Sequence, residues 1–397
     1  MREPHRPLRQ LIEKHRVIIV VGSGGVGKTT TAAAIAVQGA KAGRQVLCLT
    51  IDPAKRLATS LGLRELKSEE QVIAPSLFEA HGIQLKGSLT AMMLDAKATA
   101  DALVRASASS PEQAERILSN RIYQYMSTSL AGMQEYMAVE KLYAVQSDPR
   151  FDLIVLDTPP TSNALDFLDA PERISGIIDS PVVQWLTSFF RKDSRKSRNL
   201  VGRGARLVLQ AISRFTGKGF LEDVAGFLAE FNDIFGGFRK HAMEVGSALR
   251  SPGVAFIVVA SPAEMAIDEA IFFAERLLEN QMPCEAFVVN QVHRVLPSLA
   301  SQKQLAEELM RFANVANPDF LIERMLEAHR TAAIQAEADR KQIDRLRHRF
   351  GNRVPIIEVP AFERDVHDLQ ALDHVGRALI GEFEGTYPSL ALALSPR

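Results

Sequence analysis

A glycine-rich segment near the N-terminus constrains the fold of this chain more than any other feature. Residues 17–21 read Val-Ile-Ile-Val-Val, and residues 22–30 continue Gly-Ser-Gly-Gly-Val-Gly-Lys-Thr-Thr. An alanine-rich stretch follows to about Ala42, with Gly43 directly after it. An apolar run, a glycine turn and a helical stretch in this order predict a strand, a tight loop and a helix, as in an open α/β sheet.

Two phosphate-binding motifs fit this loop, and they imply different ligands. The dinucleotide fingerprint G-x-G-x-x-G is matched by Gly22, Gly24 and Gly27, with Asp52 as an acidic residue farther on. The P-loop motif G-x-x-x-x-G-K-[ST] is matched by Gly22, Gly27, Lys28 and Thr29. A P-loop uses the lysine for the β- and γ-phosphates and the hydroxyl for Mg²⁺, and a dinucleotide loop needs neither. The P-loop is therefore favoured over a dinucleotide site and over a glycine turn without function.

Short apolar runs alternate with longer helical stretches along the rest of the chain. This alternation is typical of an α/β fold, a mainly parallel sheet flanked by helices. Strands are predicted at residues 17–21, 45–51, 153–156, 254–260, 286–289 and 354–359. A long helix is predicted at 318–350, because Asn317 can cap its start, Pro318 suits its first position and Gly351 suits the residue past its end.

Two segments between the predicted strands are too long for simple crossover connections. Residues 85–146 and 171–250 both have a helical pattern, and we interpret them as insertions that form an all-α subdomain. The P-loop core would then consist of residues 17–84, 147–170 and 251–385, with 1–16 and 386–397 as tails.

Composition narrows the range of partners. Lys plus Arg number 47 and Asp plus Glu number 47, so the formal net charge is zero and no nucleic-acid partner is expected. Only Cys48 and Cys284 occur, which indicates neither a disulfide framework nor a thiolate metal cage. The apolar runs are far shorter than a membrane span of about 18 residues or more. We therefore expect a soluble, cytoplasmic protein.

Two aspartates follow predicted strands at the edge where open α/β sheets bind ligands. Asp157 ends the run Leu-Ile-Val-Leu at 153–156, and we interpret it as a residue that holds Mg²⁺ through water. Asp52 ends the second strand and could orient or activate an attacking water. A helix cap is the alternative role for each carboxylate, and for Asp52 the two roles can coexist.

In the phosphate loop and the two aspartates, the sequence resembles the deviant-Walker ATPases, and within them the ArsA group. That group includes the arsenite-pump ATPase and the tail-anchored-protein targeting ATPase. The resemblance depends on the doubled glycine of the loop, Asp-Pro-Ala at 52–54 and Asp-Thr-Pro-Pro-Thr at 157–161. It continues with residues 130–135, Phe-Val-Val-Asn-Gln at 287–291 and Val-Pro-Ala-Phe at 359–362. Together these motifs cover about 17–379, except for a poorly matching stretch at 173–250.

The resemblance implies an ATP-binding and ATP-hydrolysing protein with Mg²⁺, and it implies a role for each matching residue. The loop residues Gly24, Gly25, Val26 and Gly27 would surround the phosphates. Lys28 would bind the β- and γ-phosphates, Thr29 would ligate Mg²⁺ and Thr30 would contact the α-phosphate. Asp52 would be the water-activating residue of the first switch, and Asp157 would sense Mg²⁺ in the second. Asn290 would bind adenine, which a carboxamide can do as both donor and acceptor, and Pro360 and Phe362 could pack against the base.

Two departures from the group affect what can be expected. The group carries a lysine directly after the first glycine of the loop, which reaches the partner subunit's nucleotide, and this chain has Ser23 there. This difference leaves three alternatives: slow hydrolysis, a substitute cation such as Lys55 or Arg56, or a different partner subunit. The cysteine clusters of the arsenite pump and of the targeting ATPase cannot be built from two distant cysteines, so arsenite binding is unsupported.

The resemblance implies a dimer, either a homodimer or a heterodimer with a paralogue. Met126, Met133 and Met137 share a helical spacing in the first insertion, which suits either core packing or a groove for a hydrophobic client. In the second insertion an apolar run at 181–190 precedes a basic run at 191–206, which suits either a solvated loop or a membrane-associated partner. Three hypotheses follow: an ATPase switch, an assembly component with little hydrolysis of its own, and a partition-type positioning ATPase.

Overall fold

The computed structural model describes residues 7–51, 56–129, 133–158, 241–295, 319–351, 353–362, 365–366 and 368–382, and the single residues 176, 227, 230, 304, 307 and 310. The strands are β1 Val17–Gly22, β2 Gln45–Thr50, β3 Gln71–Val72, β4 Ser88–Met93, β5 Leu153–Asp157, β6 Val254–Ala260, β7 Cys284–Val292 and β8 Ile356–Pro360. The helices are α1 Pro7–Lys14, α2 Lys28–Lys41, α3 Arg56–Ser60, α4 Pro75–Glu79, α5 Ala96–Ser107, α6 Pro111–Ser119, α7 Arg121–Ser129, α8 Met133–Gln146, α9 Glu264–Glu279, α10 Asp319–Phe350 and α11 Leu369–Leu379.

The described strands form one sheet in the order β3-β4-β2-β5-β1-β6-β7-β8. Every neighbouring pair is parallel except β3 with β4 at one edge. The phosphate loop leaves β1, which lies between β5 and β6 near the centre of the sheet. The predicted α/β fold class, with a mainly parallel sheet flanked by helices, is confirmed.

Both faces of the sheet are covered by apolar side chains, which explains why the strands read as continuous apolar runs. Alternate residues of β1 belong to opposite clusters, with Ile19 on one face and Ile18 on the other. The cluster around Ile18 also contains apolar residues of α1, α2 and α11. The cluster around Ile19 contains those of α5, α8, α9 and α10. All six predicted strands are present, and the central ones are buried because helices lie on both sides of them, whereas the edge strand β8 is only partly buried.

Residues 7–16, which were predicted to belong to an N-terminal tail at 1–16, are part of the fold, whereas residues 1–6 lie outside the described residues. Helix α1 buries Leu8, Leu11 and Ile12 in the cluster that α2 also joins. The Arg9 guanidinium lies 3.2 Å from the Glu382 carboxylate just past α11. The predicted C-terminal tail, 386–397, lies outside the described residues.

The first predicted insertion begins with a strand, not with a helix. Strand β4 pairs in parallel with β2 through residues Ser88–Met93, so the helical part starts at Ala96. The sequence of β4 is Ser-Leu-Thr-Ala-Met-Met, and its mixture of helix and strand formers gives no clear period. Residues 171–240 lie outside the described residues apart from three single positions, so the division into core and insertion stays a prediction.

The methionines of the first insertion are packed into the core. Met137 is fully buried, and Met126 and Met133 pack against the same cluster as the sheet residues of that face. They also lie on two different helices, α7 and α8. Met137 is therefore a core residue, and Met126 and Met133 are half-buried residues that pack against that core.

The long helix α10 is close to the extent predicted for it, 318–350. Helix α10 spans Asp319–Phe350, and the next residue, Gly351, has φ +62°, the left-handed conformation expected after a helix end. Residues 317 and 318, the predicted cap and first position, lie outside the described residues. Within the described ranges no helix is both long enough and apolar enough to cross a bilayer.

A buried acid–histidine contact joins α8 to the helical residues 241–248. The Nε2 atom of His241 lies 2.5 Å from Oε1 of Glu140, whose side chain is buried. Burial raises the pKa of Glu140, and the hydrogen bond from His241 offsets part of that effect. The contact links the first predicted insertion with the end of the second.

We expect Glu140→Gln to change how stability depends on pH. The pKa of Glu140 is raised in the folded protein, so folding favours the neutral carboxyl group. The resulting contribution to the free energy of unfolding is fully present below the ordinary pKa of 4.5 and is lost as pH rises through the folded pKa. The wild type should therefore lose thermal stability relative to Glu140→Gln as pH increases from 4.5 to 7. Glu79→Gln, at an exposed position on α4, is the control and should follow the wild type. An identical pH dependence of the wild type and Glu140→Gln would contradict this account.

Candidate functional site

The phosphate loop is held between the end of β1 and the start of α2. Gly27 has φ +96° and immediately precedes α2, a left-handed conformation that favours glycine. A Cβ atom at this position would lie 2.2 Å from Nδ2 of Asn290. The same Nδ2 donates a hydrogen bond to the carbonyl oxygen of Val26, at 3.0 Å. The loop therefore packs directly on the end of β7, where Asn290 is predicted to bind the base.

Lys28 lies in the first turn of α2 and folds back across the loop. Its side chain is buried, and its Nζ donates a hydrogen bond to the carbonyl oxygen of Ser23 at 2.6 Å. A buried ammonium next to backbone N–H groups at a helix N-terminus provides a positive environment for phosphate oxygens. The role of Lys28 in binding the β- and γ-phosphates stays a prediction.

A cavity of about 1070 Å³ opens over the loop. Ligand cavities in proteins usually measure about 300–1000 Å³, so this one can hold a nucleoside triphosphate. Its walls include seven of the predicted site residues, namely Gly25, Gly27, Lys28, Thr29, Thr30, Asn290 and Phe362. The structure thus brings the two distant parts of the predicted site, the loop and the β7–β8 end of the sheet, to one cavity.

The other predicted residues lie next to this cavity or outside the described residues. Gly24 is an exposed residue of the loop, and Val26 is buried and contributes its carbonyl to Asn290. Pro360 ends β8 and pairs with Val292 of β7. Asp52 and Lys55 lie outside the described residues, and the role of Asp52 stays a prediction.

Asp157 ends β5, between the last residues of β1 and β2. It is paired in register with Val20 on one side and with Thr50 on the other. The Thr50 hydroxyl donates to Oδ2 of Asp157 at 2.9 Å, and the carboxylate is fully buried. The next residue, Thr158, lines the cavity and donates from Oγ1 to the carbonyl oxygen of Val20 at 2.8 Å. Asp157 is therefore fixed beside the strand that carries the loop.

The two cysteines are poor metal ligands in this fold. Burial raises the pKa of Cys48, and the nearby charge of Asp157 raises it further. Burial raises the pKa of Cys284 to about 12. Both thiols therefore resist ionisation to the thiolate that binds metals and metalloids.

Several cavity residues were not predicted from the sequence. Ser261 follows the apolar strand β6, so the rule that found Asp157 could also have found this residue. Arg56, named only as a substitute cation, lines the cavity from the start of α3. Ala338, Asp339 and Gln342 come from α10, and no local motif marks them. They reach the cavity only because α10 packs beside the end of β7.

A parallel sheet with a glycine loop between its central strand and a helix that begins with Lys28 and Thr29 defines a P-loop nucleotide-binding protein. The profile of the ArsA ATPase family, described as anion-transporting ATPase, matches residues 15–313. The chain therefore belongs to the ArsA family, and it is a P-loop ATPase. The resemblance seen in the sequence is confirmed.

Curated relatives carry names from one branch of this family. The chain is 25% identical to ATPase get3 of Schizosaccharomyces japonicus over 72% of its own length and 78% of that protein. It is 26% identical to the ATPase ASNA1 homolog of Dictyostelium discoideum, over 70% of this chain and 73% of that protein. A shorter match, 31% identical, covers 39% of this chain and 43% of ATPase get3 of Aspergillus terreus.

Proposed function

We propose that this chain is a Mg²⁺-dependent ATPase switch that works as a dimer and couples its nucleotide state to a client or membrane-associated partner. The observation that carries the proposal is a single cavity. It is lined both by Lys28 and Thr29 at the start of α2 and by Asn290 near the end of β7. A triphosphate on the loop would extend its base toward Asn290.

The nucleotide is held by groups with matching chemistry at each end. Backbone N–H groups of the loop and the Lys28 ammonium neutralise the phosphates. Asn290 donates one N–H to Val26, so its second N–H and its carbonyl oxygen are left for the adenine edge. Phe362 lines the same cavity and can pack against the base. Asp52, directly after β2, is the proposed group that orients the attacking water.

The oxygen donors at the phosphate end suit Mg²⁺, which prefers hydroxyl, carboxylate and water ligands. The Thr29 side chain lines the cavity, and the Asp157 carboxylate is oriented by Thr50 at the adjoining strand end. Thr29 would ligate the ion directly and Asp157 through water. The ion would neutralise charge on the phosphates during transfer.

Replacing Thr29 with alanine is expected to raise the Mg²⁺ concentration needed for half-maximal ATP turnover by about tenfold or more. The alanine side chain has no oxygen to offer the ion, whereas Thr29→Ser keeps the hydroxyl and should behave as the wild type. A Mg²⁺ titration of all three proteins at fixed ATP makes the comparison. Equal requirements in Thr29→Ala and Thr29→Ser would contradict the role of this hydroxyl.

A second candidate function is favoured by Ser23. The resemblance implies a lysine at this position that acts on the partner subunit's nucleotide, and its absence favours an assembly component that hydrolyses slowly or needs a lysine-bearing paralogue. Arg56, one of the two proposed substitute cations, lines the cavity. ATP turnover by the purified chain, compared with turnover in the presence of added paralogue, separates the two functions.

A further inference from the structure

His293 and Asp339 form a fixed pair in the wall of the cavity. Oδ2 of Asp339 accepts two hydrogen bonds from His293, one from the backbone N at 2.7 Å and one from Nδ1 at 2.9 Å. The Asp339 side chain is 10% exposed, and that of His293 is 42% exposed. The mostly buried carboxylate therefore fixes the orientation of the imidazole ring. The more exposed ring is accessible from the cavity that both residues line.

This contact fixes the tautomer of the neutral imidazole. Because Nδ1 faces a carboxylate oxygen that also accepts from the backbone, Nδ1 must carry the proton. The other ring nitrogen, Nε2, is then a hydrogen-bond acceptor. A ligand beside His293 would need a donor at that point.

The backbone before His293 is held in an unusual conformation. Gln291 has φ +62°, which is uncommon for a residue with a side chain, and the ladder between β7 and β8 changes register between Val289 and Val292. Such bulges redirect side chains, and strained residues concentrate at functional sites. Here the bulge lies between Asn290, which contacts the loop, and His293, which contacts α10.

Charge indicates which end of the nucleotide lies beside this pair. The phosphates are attracted to the Lys28 ammonium, whereas the Asp339 carboxylate repels them. The uncharged nucleoside suffers no such repulsion, and Asn290, the proposed partner of the base, precedes His293 by only three residues in the same cavity wall. The group that approaches His293 is therefore a base or ribose donor.

We infer that His293, positioned by Asp339, is a specificity residue whose Nε2 accepts a hydrogen bond from the adenosine part of the nucleotide. The donor is the exocyclic amino group of adenine or a ribose hydroxyl. In IDP the base is hypoxanthine, in which a carbonyl replaces the amino group of adenine. This carbonyl offers no hydrogen to Nε2. The inference depends on the proposed function, since it requires the nucleotide to bind in this cavity.

The test is the displacement of a fluorescent ADP analogue from the full-length chain by ADP, IDP and 2′-deoxy-ADP. The wild type should bind ADP about threefold to tenfold more tightly than IDP or 2′-deoxy-ADP, the range expected for one net hydrogen bond. A preference over IDP that His293→Ala loses identifies the amino group as the donor to Nε2, and a preference over 2′-deoxy-ADP that it loses identifies the ribose. His293→Ala should bind ADP more weakly by this factor and should lose the same factor in its preference over the analogue that lacks the donor, whereas any contribution of Asn290 remains.

Two further variants separate recognition from folding. Asp339→Asn keeps the size of the side chain but weakens its hold on the ring, so it should reduce the preference between the nucleotides. His348→Ala, at an exposed position on α10, should bind like the wild type. A His293→Ala protein that keeps both its ADP affinity and its preference within twofold would overturn the inference alone. A folded wild type that binds none of these nucleotides would overturn the proposed function, and this inference with it.

Discussion

Replacing Lys28 with alanine is expected to lower ATP turnover by at least about 100-fold, the usual cost of removing one preorganised donor from a transition state. The Lys28 ammonium is buried at the start of α2, where its charge is little screened by water. The variant loses this charge where negative charge shifts between phosphate oxygens during transfer. Steady-state phosphate release at saturating ATP, with thermal unfolding to confirm a folded protein, measures the effect.

The control for this variant is another lysine removed far from the cavity. Lys14, in the last turn of α1, is exposed, so Lys14→Ala should keep wild-type turnover. A Lys28→Ala protein with more than a tenth of wild-type turnover would show that the loop is not the site of hydrolysis.

Replacing Gly22 with alanine is expected to cost about 3 kcal/mol or more of folding stability, from steric overlap together with backbone strain. Gly22 has φ +151°, and a Cβ atom there would lie 2.1 Å from the carbonyl oxygen of Val259. That oxygen belongs to the backbone of β6, which pairs with β1 along its whole length and cannot move aside locally. Urea or thermal unfolding of the two proteins measures the loss.

Gly82 provides the matched comparison. It has φ +73°, also in the left-handed region, but a Cβ atom there would meet nothing within 4 Å. Gly82→Ala therefore carries only the conformational cost, about 1–2 kcal/mol. Equal losses in Gly22→Ala and Gly82→Ala would show that the close approach of β1 and β6 at Gly22 is not what requires glycine.

Most of the sheet could be predicted because its central strands are buried on both faces. Strands such as β1 and β6 are apolar throughout, and no polar residue interrupts them. The edge strand β3 has two residues, Gln71 and Val72, and β4 mixes polar and helix-forming residues. Neither has the continuous apolar character of the centre, so their pairing is set by neighbouring strands that a local pattern does not reveal.

The residues of the site also differ in whether a local sequence pattern reveals them. The loop, Asp157 and Asn290 each follow an apolar strand, so their positions at one edge of the sheet follow from the fold. Asp339 lies in the middle of a charged helix, and its sequence neighbours give no sign of a site. It reaches the cavity because α10 packs beside β7, a tertiary contact that only the structure shows.

The most direct test of the proposed switch is ATP hydrolysis with Mg²⁺ over a wide range of protein concentrations, with Lys28→Ala as the blank. We expect a specific activity that rises with protein concentration, because two chains must associate, and that is absent in the blank. Activity independent of concentration would contradict the dimer. Turnover at the level of the blank, in a protein shown to bind ADP, would contradict the autonomous ATPase and favour a component that needs a partner subunit.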